Sequence, residues 1–198
     1  MGYYKLRINE ENKVWRKYIT FSLSFVYKNN EVNFHEINNI ENKINNLKIQ
    51  ALSSQGVVLN EKEFIKKTAP NFSRIQRILL IKETVLKVEL FDDLKGVEFI
   101  SLKVEGKFQN SYKLMNLTNA IDCVDRVNSV KKEFDFLSKL VLIKSMIPKE
   151  IDGFFLSGWD KYGKYETIVN ERLKKKLLQL EKASEFLIFD KIEFSDED

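Results

Sequence analysis

The sequence predicts an α+β fold in which mixed or antiparallel sheets pack against a few helices. Short segments with apolar residues at every second position outnumber segments with the helical spacings of three and four. The chain has 198 residues, of which 43% are hydrophobic and 12% aromatic, and this is enough to build a large core. That composition excludes a disordered tail, a collagen-like repeat and a disulfide-stapled miniprotein.

The first half of the chain is predicted to contain both kinds of element. An aromatic strand at Tyr3–Ile8 precedes a strand at 18–27, where apolar and small polar residues alternate. Apolar residues spaced by three and four then predict a helix over 37–51. The remaining predictions are a strand at 56–59, a helix capped by Asn60 that ends before Pro70, a helix giving way to a strand over 72–94, and a strand over 96–104.

The second half is predicted to hold mostly strands and one clear helix. Asn170 is suited to cap that helix, which would turn Leu173, Leu177 and Leu180 inward and Lys174 to Lys176 toward solvent. The predicted strands lie at 112–124, 140–143, 151–156, 166–169 and 185–194.

Two segments resemble diverged copies of one unit. Residues 57–61 and 167–171 each read as a short strand that runs into an Asn-capped helix. This similarity predicts two strand-helix-strand halves packed together, an N-terminal α+β half at 1–110 and a C-terminal α+β half at 111–198. One continuous domain is the alternative.

The rare residue types limit the chemistry. Cys123 is the only cysteine and His35 the only histidine, which excludes an intrachain disulfide and zinc sites that need two histidines. No G-x-S-x-G nucleophile motif is present. We therefore expect a cytoplasmic protein that is not an enzyme, with no catalytic residue, no metal site, no cofactor and no membrane partner. Asp122 and Asp125, which flank Cys123, are expected to bond locally to backbone amides, and Cys123 to lie in the core.

A stretch beginning at Gly158 matches the G-x-x-x-x-G-K pattern of phosphate-binding loops. Tyr165 stands where that loop needs Ser or Thr for Mg²⁺, and a strand follows where a helix is required. A hairpin loop is the better interpretation. Its amphipathic residues Trp159, Asp160, Tyr162 and Tyr165 are candidates for binding a partner, with packing against the fold as the alternative.

The formal net charge of +4 leaves a second class of function open. Lysines dominate the basic residues, so a nucleic-acid-associated protein with a Lys-rich surface is the alternative to a protein-binding module. Abundant Lys, Asn and Ile are also typical of an AT-rich genome, which makes nucleic acid the weaker interpretation.

The central segment carries a recognisable signature, with Tyr112, Asn116, Asp122, Asp125 and Ser129 in the order Tyr, Asn, Ile-Asp-x-x-Asp, Ser. This pattern resembles the "immunity protein eleven" family of bacterial polymorphic toxin systems, formerly a domain of unknown function. The Ile147-Pro148 pair, the Phe154-Phe155 pair and the segment Ile168-Val169-Asn170-Glu171 follow in the order that the family shows. The resemblance implies a cytoplasmic α+β protein that binds and neutralises a cognate toxin and has no catalytic residues.

Overall fold

The computed structural model describes residues 2–9, 21–26, 48–53, 71–75, 78–101, 112–131, 137–158 and 166–196. These residues form fifteen strands and two α-helices. The strands are β1 Tyr3–Ile8, β2 Phe21–Val26, β3 Lys48–Ser53, β4 Phe72–Ile75, β5 Ile78–Lys82, β6 Val97–Ser101, β7 Tyr112–Leu117, β8 Ala120–Ile121, β9 Val130–Lys131, β10 Leu137–Lys139, β11 Val141–Leu142, β12 Gly153–Leu156, β13 Glu166–Asn170, β14 Leu187–Lys191 and β15 Glu193–Phe194, and the helices are α1 Glu171–Leu177 and α2 Ala183–Phe186. The prediction of an α+β class is confirmed.

Two sheets dominate the described part of the chain. The five-stranded sheet has the order β14-β1-β13-β12-β8 and is antiparallel except for the parallel β12–β8 pair. The four-stranded sheet has the order β4-β5-β7-β6 and is antiparallel throughout. Smaller pairs join β2 to β3, β9 to β10 and, in parallel, β11 to β15.

The five-stranded sheet lies between two hydrophobic clusters because its side chains alternate between its faces. One face contributes Leu6, Ile8, Phe155 and Val169 to a cluster that includes α1 and the four-stranded sheet. The other face contributes residues that pack with the chain around β11; these are Tyr3, Phe154, Leu156 and Ile168, against Cys123, Val124, Leu142 and Ile147.

Helix α1 begins where the sequence predicts. The side-chain oxygen of Asn170 accepts a hydrogen bond from the backbone N–H of Leu173 at 2.9 Å, as an N-cap should. Leu173, Leu177 and Leu180 are buried as expected. The prediction of a solvated lysine face is wrong in part, because Lys174 lies 3.6 Å from the Tyr4 ring centroid and Lys176 bonds to Asp93. Only Lys175 of the three is exposed.

Three other sequence predictions need correction. Residues 48–53 form β3 and not the end of a helix, because pairing with β2 along its whole length overrides their helical spacing. Residues 72–75 and 78–82 form a strand pair and not a helix. Strand β5 lies between β4 and β7 and is buried on both faces, so it lacks the alternation of a half-exposed strand. Strand β14 begins at Leu187, because Phe186 belongs to α2 and packs into the core.

The predicted repeat is described in its second copy only. Thr167–Glu171 is a strand that runs into a helix, as expected, whereas residues 57–61 and the predicted helix that Asn60 would cap lie outside the described residues. Both large sheets draw on both expected halves of the chain, because β1 lies between β13 and β14 and β7 lies between β5 and β6.

Candidate functional site

Two residues of the signature, Tyr112 and Asn116, are part of the four-stranded sheet. Both lie on β7 and are 1% and 2% exposed. Burial raises the pKa of the Tyr112 hydroxyl far above its usual value. The amide nitrogen of Asn116 donates to the carboxylate of Glu98, its cross-strand neighbour on β6, at 3.3 Å. The Asn116 side chain therefore links β7 to β6, and Tyr112 belongs to the hydrophobic core.

Asp125 closes a tight turn over residues 125–129. One of its carboxylate oxygens accepts from the backbone N–H groups of Val127 and Asn128, both at 2.9 Å, and the other accepts from the Asn128 amide at 2.7 Å. Hydrogen bonds from the Ser195 side chain and then from Asn128 hold the pKa of Asp125 well below its usual range. The expectation that this carboxylate bonds to local backbone amides is confirmed.

Ser129 fixes the end of the same turn to β11. Its hydroxyl donates to the carbonyl of Val141 and accepts from the Val141 N–H, both at 3.0 Å. The Ser129 N–H donates to the Asp125 carbonyl, and the Asp125 N–H donates to the Val141 carbonyl, each at 3.0 Å. The turn is therefore tied to β11 at both of its ends.

Asp122 links the turn to the chain that follows β12. Its two carboxylate oxygens accept from Nη2 of Arg126 at 2.9 and 2.7 Å, and the same nitrogen donates to the carbonyl of Gly158 at 3.0 Å. Gly158 has φ +72°, and a Cβ there would lie 2.2 Å from Oδ2 of Asp122. This close approach requires glycine at position 158.

The predicted partner-binding residues Trp159, Asp160, Tyr162 and Tyr165 lie outside the described residues, as does most of the G-x-x-x-x-G-K pattern. The chain enters this segment at Gly158 and leaves it at Glu166, both of which are described. The Arg126 bond therefore ties Gly158 to the Asp125 turn.

Sequence reasoning missed the exposed apolar side chains near the signature. Val127 at the tip of the turn is 92% exposed, and Val130 on β9 and Met146 in the 3-10 turn Lys144–Met146 are 50% and 51% exposed. The pattern Asp125-x-x-Asn128 is typical of a turn closed by an aspartate. That pattern could have placed Val127 at a turn tip.

A groove of about 750 Å³ adjoins Met146. It is lined by Tyr3, Lys144, Ser145, Met146, Ile147, Pro148, Lys149 and Asp196. The Asp196 carboxylate accepts from the backbone N–H groups of Lys144 at 2.6 Å and Ser145 at 2.8 Å, and these bonds lower its pKa. The acidic end of the chain thus orders the turn beside the groove.

A second polar cluster lies between the loop before β6 and α1. The Asp152 carboxylate, 3% exposed as a residue, accepts from the Lys95 N–H and the Asn170 amide, both at 2.8 Å, and from Arg172 at 3.3 Å. Arg172 and Lys176 also bond to Asp93. Hydrogen bonds from Lys176 and then Arg172 lower the pKa of Asp93 to about 2.

Acid should weaken the fold through this cluster. A carboxylate whose folded pKa is depressed contributes stability above its unfolded pKa of about 3.9 and loses it as pH falls toward the folded value. We expect the difference in unfolding free energy between the wild type and Asp93→Asn to shrink from pH 4 to about pH 2. Urea unfolding across this range measures it, with exposed Asp92→Asn as the control. A difference that does not change with pH would contradict this assignment.

Cys123 behaves as a core residue. It is fully buried, and burial raises the pKa of its thiol to about 12. No group of three His, Cys, Asp or Glu side chains suited to a metal ion occurs within the described ranges. Among the same residues, no helix combines the length and apolar character needed to cross a bilayer.

In comparisons with known proteins, the chain matches no protein-family model and no curated protein. The resemblance to the immunity protein family therefore stays a prediction from the sequence signature.

Proposed function

We propose that this protein is an immunity protein that binds and neutralises a cognate bacterial toxin by forming a stoichiometric complex. The observation that carries the proposal is the turn at 125–129. Its polar side chains bond within the protein, while Val127 at its tip is 92% exposed. A turn that is ordered before binding loses little conformational freedom when its apolar tip contacts another macromolecule.

The sequence signature is the reason for proposing a toxin as the partner. The five signature residues are those on which the resemblance to the immunity protein family rests, and in this chain three of them, Asp122, Asp125 and Ser129, build and anchor the turn. Neutralisation would follow from covering the active cleft of the toxin or from holding the toxin in an inactive state. Either mode needs an interface of about 1,600 Å² in total or more.

The aromatic residues Trp159, Tyr162 and Tyr165 remain predicted contacts. Gly158, which directly precedes them in the chain, is bonded to Arg126 in the turn. Gly158 is thus bonded to the residue that directly precedes the exposed Val127 in the chain, which favours one contact region over two separate ones.

The nucleic-acid alternative has less support from the described surface. A binding site for phosphates needs basic side chains that are available to them. Many basic side chains are instead paired with carboxylates; these are Lys5, Arg7, Lys95, Arg126, Lys139, Arg172, Lys175 and Lys176. Binding to DNA or RNA with a steep dependence on salt would favour the alternative.

Co-expression in bacteria tests the proposed function. The toxin domain encoded by the reading frame next to this gene should arrest growth, and this protein should restore it. A toxin domain from an unrelated system, which the protein should not neutralise, controls for specificity. Continued arrest, together with failure of the two proteins to co-purify, would exclude the proposal.

A further inference from the structure

Residues 193–196, which we call the strap, lie beside β11 on the side opposite the signature segment. Strand β15 pairs in parallel with β11, and Phe194 is opposite Leu142. The same Leu142 forms an antiparallel bridge with Val124, the residue before the turn at 125–129. The signature segment, β11 and the strap therefore lie side by side in that order.

Backbone hydrogen bonds join β11 to both of its neighbours. The Val141 carbonyl accepts from the Asp125 N–H at 3.0 Å, which ties β11 to the start of the turn. The next carbonyl, that of Leu142, accepts from the Ser195 N–H at 3.1 Å, which ties β11 to the strap. Successive carbonyls of a strand point to opposite sides, so β11 is held in place from both sides at once.

Two side chains of the strap add further bonds. The Asp196 carboxylate accepts from the N–H groups of Lys144 and Ser145, at 2.6 and 2.8 Å, and these residues follow directly after β11. The Ser195 side chain donates to the carboxylate of Asp125, which closes the turn. The strap thus contacts the chain after β11 as well as the turn.

The strap itself has little buried surface. Phe194 is half-buried, and the other three side chains of the strap, Glu193, Ser195 and Asp196, are exposed. Ile192, the residue before the strap, is 5% exposed, and its N–H donates to the Tyr3 carbonyl on β1 at 3.0 Å. Segments with few buried apolar contacts open locally at low free energy. The strap can therefore open while Ile192 stays packed on the five-stranded sheet.

We propose that the strap controls the order of the turn at 125–129, and through it the affinity for the toxin. This rests on the proposed function and adds a conformational control to it. If the toxin binds the ordered turn, its apparent affinity falls in proportion to the fraction of molecules in which the strap is closed. By linkage, bound toxin stabilises the closed strap by the same factor.

Amide hydrogen exchange, followed by NMR on the full chain without toxin, tests the coupling. Asp196→Ala removes the acceptor of the Lys144 and Ser145 N–H groups, and their exchange should become about tenfold faster. Exchange at Asn128 and Ser129 should become at least about threefold faster, because the turn loses order when the strap opens. Asp196 bonds to the chain after β11, so a change in the turn reports transmission through the strap and β11.

Asp190→Ala is the matched control. It removes an exposed carboxylate on β14 that bonds to Arg7, and it should leave exchange in the turn unchanged. Unchanged thermal unfolding of both variants shows that they fold. Unchanged exchange at 128–129 in Asp196→Ala, whatever happens at 144–145, would show that the strap and the turn open independently and would overturn the inference.

Calorimetric titration with the toxin domain from the adjacent reading frame tests the effect on binding. Asp196→Ala should raise Kd about threefold, and Asp190→Ala should bind like wild type. If wild type binds and Asp196→Ala binds equally well, the strap does not control affinity, and the inference fails while the proposed function stands. If wild type does not bind, the proposed function and the control of binding both fail, and the exchange data alone decide whether the strap orders the turn.

Discussion

Replacing Asp152 by alanine is expected to lower the free energy of unfolding by about 3 kcal/mol. The carboxylate joins three elements, because it accepts from the Lys95 N–H, the Asn170 amide and the Arg172 guanidinium. At a site that is 3% exposed, water cannot replace these bonds, so the Lys95 N–H and one N–H of the Asn170 amide lose this acceptor. Urea denaturation of purified Asp152→Ala measures the loss.

Glu150→Ala is the matched control for this prediction. Glu150 lies two residues earlier on the same loop and pairs with the Lys95 side chain, but its side chain is 76% exposed. Exposed ion pairs contribute little to stability. We therefore expect the control to unfold like wild type. Equal stability of Asp152→Ala and wild type would show that the cluster does not hold the loop to α1.

Replacing Gly158 by alanine is expected to cost about 2 kcal/mol of stability. The residue has φ +72°, which side chains rarely adopt, and its new Cβ would lie 2.2 Å from the Asp122 carboxylate. Asp122 would have to move, and its bonds to Arg126 would be lost with it. Denaturant unfolding tests the prediction, with Gly2→Ala as the control, because its nearest contact would be an ordinary 3.4 Å.

A double-mutant cycle separates the strain of the positive φ at residue 158 from the clash of its Cβ with Asp122. In an Asp122→Ala background the clash is absent, so Gly158→Ala should cost less than it does in wild type. Additive effects of the two substitutions would mean that Asp122 and residue 158 do not interact.

The elements that the sequence predicted well are those that local chemistry determines. Asn170 caps α1 through its own side chain, and the leucines three and four positions apart are buried on one face. Asp125 bonds to amides two and three residues ahead, which requires nothing distant in the chain. Such features depend on neighbours in the sequence and can be read from it.

The features that the sequence did not predict depend on distant residues. Residues 48–53 form a strand because they pair with β2, although the spacing of their apolar residues is helical. Residues 78–82 form a strand because they pair with β4 on one side and β7 on the other. The Asp152 cluster brings together residues from three separate parts of the chain. The exposure of Met146 likewise depends on which elements the fold leaves uncovered. None of these has a signal within one short window of sequence.

The most direct test is to titrate this protein with the toxin domain from the adjacent reading frame and follow hydrogen exchange in the mixture. We expect one-to-one binding with Kd at or below about 10 nM, together with slowed exchange in 124–131 and 141–147. No complex at micromolar concentrations would contradict the claim that this chain acts by holding a toxin.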